Sequence, residues 1–150
     1  MPTPRFAVYS PLAEDRYGAR TLCAAGVAAR EVVRMAPPRI EAYRFGRMVV
    51  DGTSHTRDLI LLPDRVIGNW WRKEGHRLIP DDLEPVLGAA PEVLVVGTGA
   101  FGRMKVTEET RKALEEAGIE LVVANTGEAV QRYNDLRERR RTAGAFHLTC

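Results

Sequence analysis

The chain has 150 residues, 45% hydrophobic and 28% charged, a composition that excludes a disordered or fibrous class and fits about one domain. Its net charge of +2 lies wholly in the first 38 residues, because 17 basic and 17 acidic side chains follow from Arg39 onward. A remainder so balanced lacks the general positive field of a nucleic-acid binder, and no nucleic-acid partner is expected.

In chain order, Phe6 to Tyr9 has extended character, and Ala19 to Met35 reads as an amphipathic helix with Leu22, Ala25, Ala29, Val32 and Val33 on one side. Its small residues favour packing on its own chain over docking to a partner. Pro37-Pro38 divides the chain into an extension, residues 1–38, and a main domain, residues 39–150. The run Ile40 to Val50, the dipeptide Asp51-Gly52 and the return run Thr53 to Leu62 predict a hairpin, since both positions of a tight primed turn need positive φ. Leu59 to Leu62 reads as a buried strand stopped by Pro63, and Asp64 to Pro80 as irregular. Asp81-Asp82 open a short helix, acids in its first turn being favourable against the dipole.

The second half alternates strand and helix. Glu92 to Val96 is a continuous apolar strand running into Gly97-Thr98-Gly99. Thr107 caps a helix through Ala117, Gly118 ends it, and Ile119 to Ala124 is a second apolar strand. Thr126 is expected to cap a helix with Ala129, Val130, Tyr133 and Leu136 as its apolar stripe. Ala143 to Cys150 closes the chain as a strand, with Phe146 and Leu148 on one face and His147 and Thr149 on the other. A hairpin followed by such parallel crossover units gives a mixed α/β sheet with helices on its faces.

Gly97 to Gly102 matches G-x-G-x-x-G after a strand, but a dinucleotide site also needs a helix opening at the glycines and an acid ending the next strand. Here the helix starts late, at Thr107, and the next strand ends Val123-Ala124-Asn125. No cofactor is therefore assigned. The turn still sits where α/β sheets build sites, and its amides are candidates to hold another anion or a peptide group. Ser54, His55 and Asp58 are too close on one strand to form a hydrolase triad, and no nucleophile elbow exists, so no catalytic residue is assigned. His55, His76 and His147 lack metal-ligand spacing with one another or with the cysteines, and no metal is assigned.

Cys23 and Cys150 are too few for a disulfide framework; a bridge between them stays open, but reduced thiols in a cytosolic setting are the simpler reading. Cys150 itself reads as a small residue closing a strand. Thr21 to Ala29 falls well short of the roughly 20 residues of a spanning helix, and the acids before it fit a secretory signal poorly. A cytoplasmic protein without a membrane span is expected. Arg137 and Arg139 to Arg141 form the one dense basic run, read as cations offsetting a helix C-terminus, with an acidic partner as the sharper alternative. Of Trp70 and Trp71, at least one should be buried, leaving the other as an interface contact.

Taken as an ordered series, these features resemble one known family. Phe45-Gly46 through Asp51-Gly52, then Asp58, Pro63, Trp71-Arg72 and His76 carry the likeness, as do Val93 to Gly99, the stretch Thr126 to Asn134, and the ending Phe146-His147-Leu148-Thr149-Cys150. The series is similar to the Mth-type domain shared by mitochondrial complex I assembly factor three and the adipogenesis-associated Mth-type domain protein, over about Arg39 to Cys150. The ending looks more like the adipogenesis-associated and archaeal branch. The resemblance implies a compact three-layer α/β fold with a central mixed sheet, no established enzymatic activity and no established cofactor.

Two functions follow. One is a non-catalytic assembly or adaptor protein acting through protein contacts, with an unidentified protein partner and homo-oligomerisation left open. The other is a small-molecule or anion binder, or an undiscovered enzyme, with a pocket at Gly97, Thr98 and Gly99 to which Asp58, Arg72 and His76 contribute.

Overall fold

The computed structural model describes residues 36–150. The extended segment and helix expected at residues 6–9 and 19–35 lie outside them, as does Cys23.

The centre is a five-stranded mixed sheet. Its first strand in chain order is preceded by a meander, β1 (Ile40–Arg44), β2 (Arg47–Val50) and β3 (Thr53–His55), which forms an antiparallel sheet of its own. Asp51 and Gly52, at φ 46° and 83°, make the expected primed turn between β2 and β3. The run Ile40 to Val50 is not one strand, however: a second reversal at Phe45-Gly46 splits it, with the Gly46 amide bonded to the Leu148 carbonyl. The return run is split too. After β3 the chain leaves the meander, and β4 (Leu59–Leu62) enters the central sheet with all four residues buried.

The segment read as irregular contains two strands. Pro63-Asp64 is a hairpin turn that sends β5 (Arg65–Ile67) back along β4, and β6 (Arg77–Leu78) pairs in parallel with β8 (Lys105–Val106). A 3-10 turn at Pro80–Leu83 leads into α1 (Glu84–Ala89). Next come β7 (Val93–Gly97), α2 (Glu108–Glu116), β9 (Glu120–Ala124), α3 (Thr126–Leu136) and β10 (Thr142–Phe146). The sheet order is β9-β7-β10-β4-β5, with β9, β7 and β10 parallel and β4 and β5 antiparallel to their neighbours.

Alternation along these strands divides the core into two layers. Ile60, Leu62, Leu94, Val96, Ala143 and Ala145 pack with Leu83, Val86 and Leu114 of the 3-10 turn, α1 and α2. Leu59, Leu61, Val95 and Phe146 pack on the opposite face with Ala129 and Tyr133 of α3 and with Ile40, Met48 and Val50 of the meander. The result is helices, sheet, then helix and meander, the three layers of an α/β domain. Tyr133 meets Phe146 edge to face at 5.7 Å, and its hydroxyl donates to the Pro38 carbonyl at 2.6 Å.

Two local readings need correction. Thr107 caps α2 as expected, accepting from the Thr110 amide, but α3 is capped by Asn125, whose side chain accepts from Glu128 N. Asn is as good a cap as Thr, and the shift frees the Thr126 hydroxyl for another task. The basic run, too, ties elements together rather than merely offsetting its own helix end. Arg137 donates to the Pro37 carbonyl, Arg140 pairs with Glu92 and Glu120, and Arg141 donates to the Ala89 and Ala90 carbonyls at the end of α1. Among the described residues, no helix is long and apolar enough to cross a membrane.

Candidate functional site

The site grows from the register of the central sheet. Pairing β10 antiparallel to β4 sets Phe146 against Leu59, and pairing β10 parallel to β7 sets Phe146 against Gly97. The residue after Phe146, His147, therefore lands beside both Asp58 and the glycine turn. β10 ends at Phe146, and His147 to Cys150 continue as irregular chain rather than the strand expected there.

That segment occupies the glycine turn. Thr98 N donates to Ala124 O, Gly99 N to the Thr126 hydroxyl at 2.8 Å, Ala100 N to Thr149 O at 2.6 Å and Arg103 N to Cys150 O at 3.1 Å. The freed Thr126 hydroxyl itself donates to His147 O at 2.6 Å, linking the turn to the end of β10. Gly99 is required here: at φ 105° a side chain is strained, and a Cβ would lie 2.5 Å from the Cys150 carbonyl oxygen. Backbone groups and a hydroxyl of the chain itself thus take the amides of Thr98, Gly99 and Ala100. Met104 is buried beneath the turn and Phe101 stands 74% exposed above it.

Asp58, Arg72 and His147 come together although 89 residues separate the first from the last. The Asp58 carboxylate receives the Leu148 amide at 2.9 Å, Arg72 Nη1 at 2.6 Å and His147 Nδ1 at 2.7 Å. Burial raises the pKa of this carboxyl, but the hydrogen bonds from His147, Leu148 and Arg72 outweigh it and hold the group below the ordinary carboxylate range. An ionised carboxylate only accepts, so the short contact places the proton on Nδ1 of His147. Arg72 Nη2, 3.2 Å from the same nitrogen, finds its acceptor in the Gly75 carbonyl at 2.9 Å instead. In the neutral ring this leaves the lone pair on Nε2, a buried atom with no hydrogen-bond partner among the described residues.

The tryptophans divide their work around this cluster. Trp70 is buried: its backbone amide donates to Asp58 O, its indole to Asp82 O, and the Arg72 guanidinium lies 5.0 Å from its ring centroid. Trp71 is 77% exposed. Arg57, Asp58, Trp70, Trp71, His147 and Thr149 border an open cleft of about 710 Å³. His76, carried next to β6, meets His147 edge to face at 5.8 Å, and Lys105 N donates to its carbonyl. The chain thus gathers Asp58, Arg72 and His76 around His147, next to the residues that fill the turn. Ser54 and His55 do not join them; Ser54 accepts from Arg47 in the meander.

His147 and Cys150 are the residues that sequence reasoning missed. One donor atom from each of His76, His147 and Cys150 lies within 4.8 Å of the other two. No local spacing pointed to His147: Asp58 falls opposite it only once the sheet register sets Leu59 against Phe146.

This arrangement has relatives. A family model described as a protein of unknown function, DUF498/DUF598, matches residues 40–147, from the start of β1 to His147. The chain is similar to the conserved hypothetical protein PH1505 from Pyrococcus horikoshii OT3, at 29% identity and a TM-score of 0.65, over 75% of this chain and 99% of that one. It is similar to the Rpa2829 protein from Rhodopseudomonas palustris, at 32% identity and a TM-score of 0.61, over 79% of this chain and 90% of that one. A Mth938-like domain from Bordetella pertussis shares the fold at 19% identity and a TM-score of 0.56, over 83% of this chain and 92% of that one. The match takes in every strand of the central sheet together with Asp58, Arg72, His76 and His147, and on that extent the chain belongs to the DUF498/DUF598 family, Mth-type α/β domains whose activity is unknown.

Proposed function

We propose that the chain is a non-catalytic adaptor that works through protein contacts in a reducing, cytoplasmic setting, the role implied by its likeness to the complex I assembly factor domain. The observation that supports this best is a pair of exposed aromatic rings. Phe45, at the turn between β1 and β2, and Phe101, in the glycine turn, lie 6.2 Å apart by ring centroids and are 58% and 74% exposed. Neither ring is needed by the core, and two adjacent apolar rings on a surface have the chemistry of an interface anchor. The internal bonding of the glycine-turn amides supports the same reading, since it removes the donors an anion would use.

The test compares the wild-type chain with a Phe45→Ser/Phe101→Ser variant whose circular dichroism and melting temperature are unchanged. A specific partner held by the wild type and lost from the variant is expected. Identical capture by both proteins would refute the aromatic pair as the contact. Sedimentation of the two proteins tells whether that partner is a second copy of the chain.

A second reading is favoured by the open cleft of about 710 Å³ between Trp71 and His147. With Arg57 and Asp58 on its border, it suits a small polar molecule rather than a dinucleotide. A thermal-shift screen with phosphates, nucleotides and metabolites tests it, because a ligand at a hundred times its Kd adds about 2.7 kcal/mol of stability.

A further inference from the structure

We propose that His76, His147 and Cys150 form a binding site for a borderline-soft divalent transition-metal ion of the zinc type. The three side chains come from two distant parts of the chain, and one donor atom of each lies within 4.8 Å of the other two. Two imidazoles and a thiolate are a ligand set that such an ion selects over magnesium or calcium, which prefer oxygen.

The state of His147 is the independent observation. The residue is 7% exposed, and its Nε2 is buried without a hydrogen-bond partner among the described residues. A buried polar atom left without a partner is costly, and a native structure keeps one where it has a task. Asp58 holds the other nitrogen, Nδ1, at 2.7 Å, which is the carboxylate–histidine arrangement that fixes the orientation of a metal-binding imidazole. Arg72 would repel a cation if it stood alone, but Asp58 pairs with it at 2.6 Å and balances its charge. His76 is exposed and Cys150 half-buried, so an ion can reach the site from solvent. Three protein ligands leave a fourth position of a tetrahedral ion open to water or a ligand.

The test uses the full chain under a phosphine reductant, with Co²⁺ as the optical probe and Zn²⁺ as the competitor. One Co²⁺ per chain is expected, with a thiolate charge-transfer band in the near ultraviolet and intense visible bands of tetrahedral cobalt, both removed by one equivalent of Zn²⁺. Cys150→Ser abolishes the charge-transfer band. His76→Ala, at an exposed position that leaves the fold intact, weakens binding about tenfold or more, and Asp58→Asn weakens it by about 10–100-fold. Cys23→Ser leaves the spectrum unchanged. Absence of stoichiometric binding, or binding that survives both Cys150→Ser and His76→Ala, overturns the proposal. So does a Cys150 thiol alkylated equally fast with and without Zn²⁺.

Discussion

Replacing Asp58 by Ala removes the acceptor of three donors at once: Leu148 N, Arg72 Nη1 and His147 Nδ1. The Arg72 side chain is 6% exposed and the Asp58 side chain 16%, so the variant leaves a buried guanidinium without its counter-charge. Breaking a buried pair by deleting one partner costs about 3–5 kcal/mol. Arg72 keeps two bonds to the Gly75 carbonyl, at 3.1 and 2.9 Å, and its stacking on Trp70, which argues for the lower end of that range. A loss of about 3 kcal/mol is expected from urea unfolding, followed by tryptophan fluorescence and far-ultraviolet circular dichroism with an unchanged m-value. Asp58→Asn, which keeps one acceptor oxygen, should lose about half as much. The two sites should also couple: the double variant Asp58→Leu/Arg72→Met is expected to lie about 1–3 kcal/mol above the sum of its singles. A loss below about 1 kcal/mol for Asp58→Ala, or strict additivity in the double variant, would refute the idea that this cluster fastens the end of the chain to β4.

Gly99→Ala combines strain at φ 105° with a Cβ 2.5 Å from the Cys150 carbonyl oxygen, and should lower stability by about 3 kcal/mol in the same assay. Asn125→Ala removes only a helix cap and should cost about 1 kcal/mol, whereas Thr126→Val strands both Gly99 N and His147 O and should cost about 2–3 kcal/mol. The reverse order would restore Thr126 as the cap. Burial pushes the Tyr133 phenol well above its ordinary value, so the folded chain holds a proton that the unfolded chain releases above about pH 10. Its contribution is complete below that pH and is lost as pH rises, by about 1.4 kcal/mol per unit, and Tyr133→Phe should flatten that alkaline decline in pH-dependent urea unfolding. Phe45→Ser/Phe101→Ser should change unfolding stability by less than about 0.5 kcal/mol, since both rings stand on the surface.

What could be read from the sequence was local chemistry. Asp51-Gly52 announced its turn because two successive positive-φ positions tolerate few other pairs. Thr107 and Gly118 marked the ends of α2, and the uninterrupted apolar run before Gly97 marked a strand buried on both faces. The Phe45-Gly46 reversal was hidden because the run around it continues in strand-forming residues. The Pro63-Asp64 hairpin was hidden because Pro63 reads equally well as a stop. Asn125 and Thr126 are adjacent residues of similar capping strength, and only the competing bonds of Thr126 to Gly99 and His147 decide between them. The site was legible only in part. Asp58, Arg72 and His76 were grouped at one pocket from the sequence, but His147 joins them through the register that sets Leu59 against Phe146, and no local spacing announces a partner 89 residues from Asp58.

The proton on His147 decides the chemistry of the whole cluster, and long-range proton–nitrogen correlation spectra of the imidazoles read it directly. Asp58, held ionised and 2.7 Å away, predicts an Nδ1–H tautomer for His147, with Nε2 showing the shift of an unprotonated ring nitrogen that collapses to the mobile average in Asp58→Asn. A protonated Nε2 with a bare Nδ1 would contradict the arrangement, because Asp58 would then not be the group that fixes the ring.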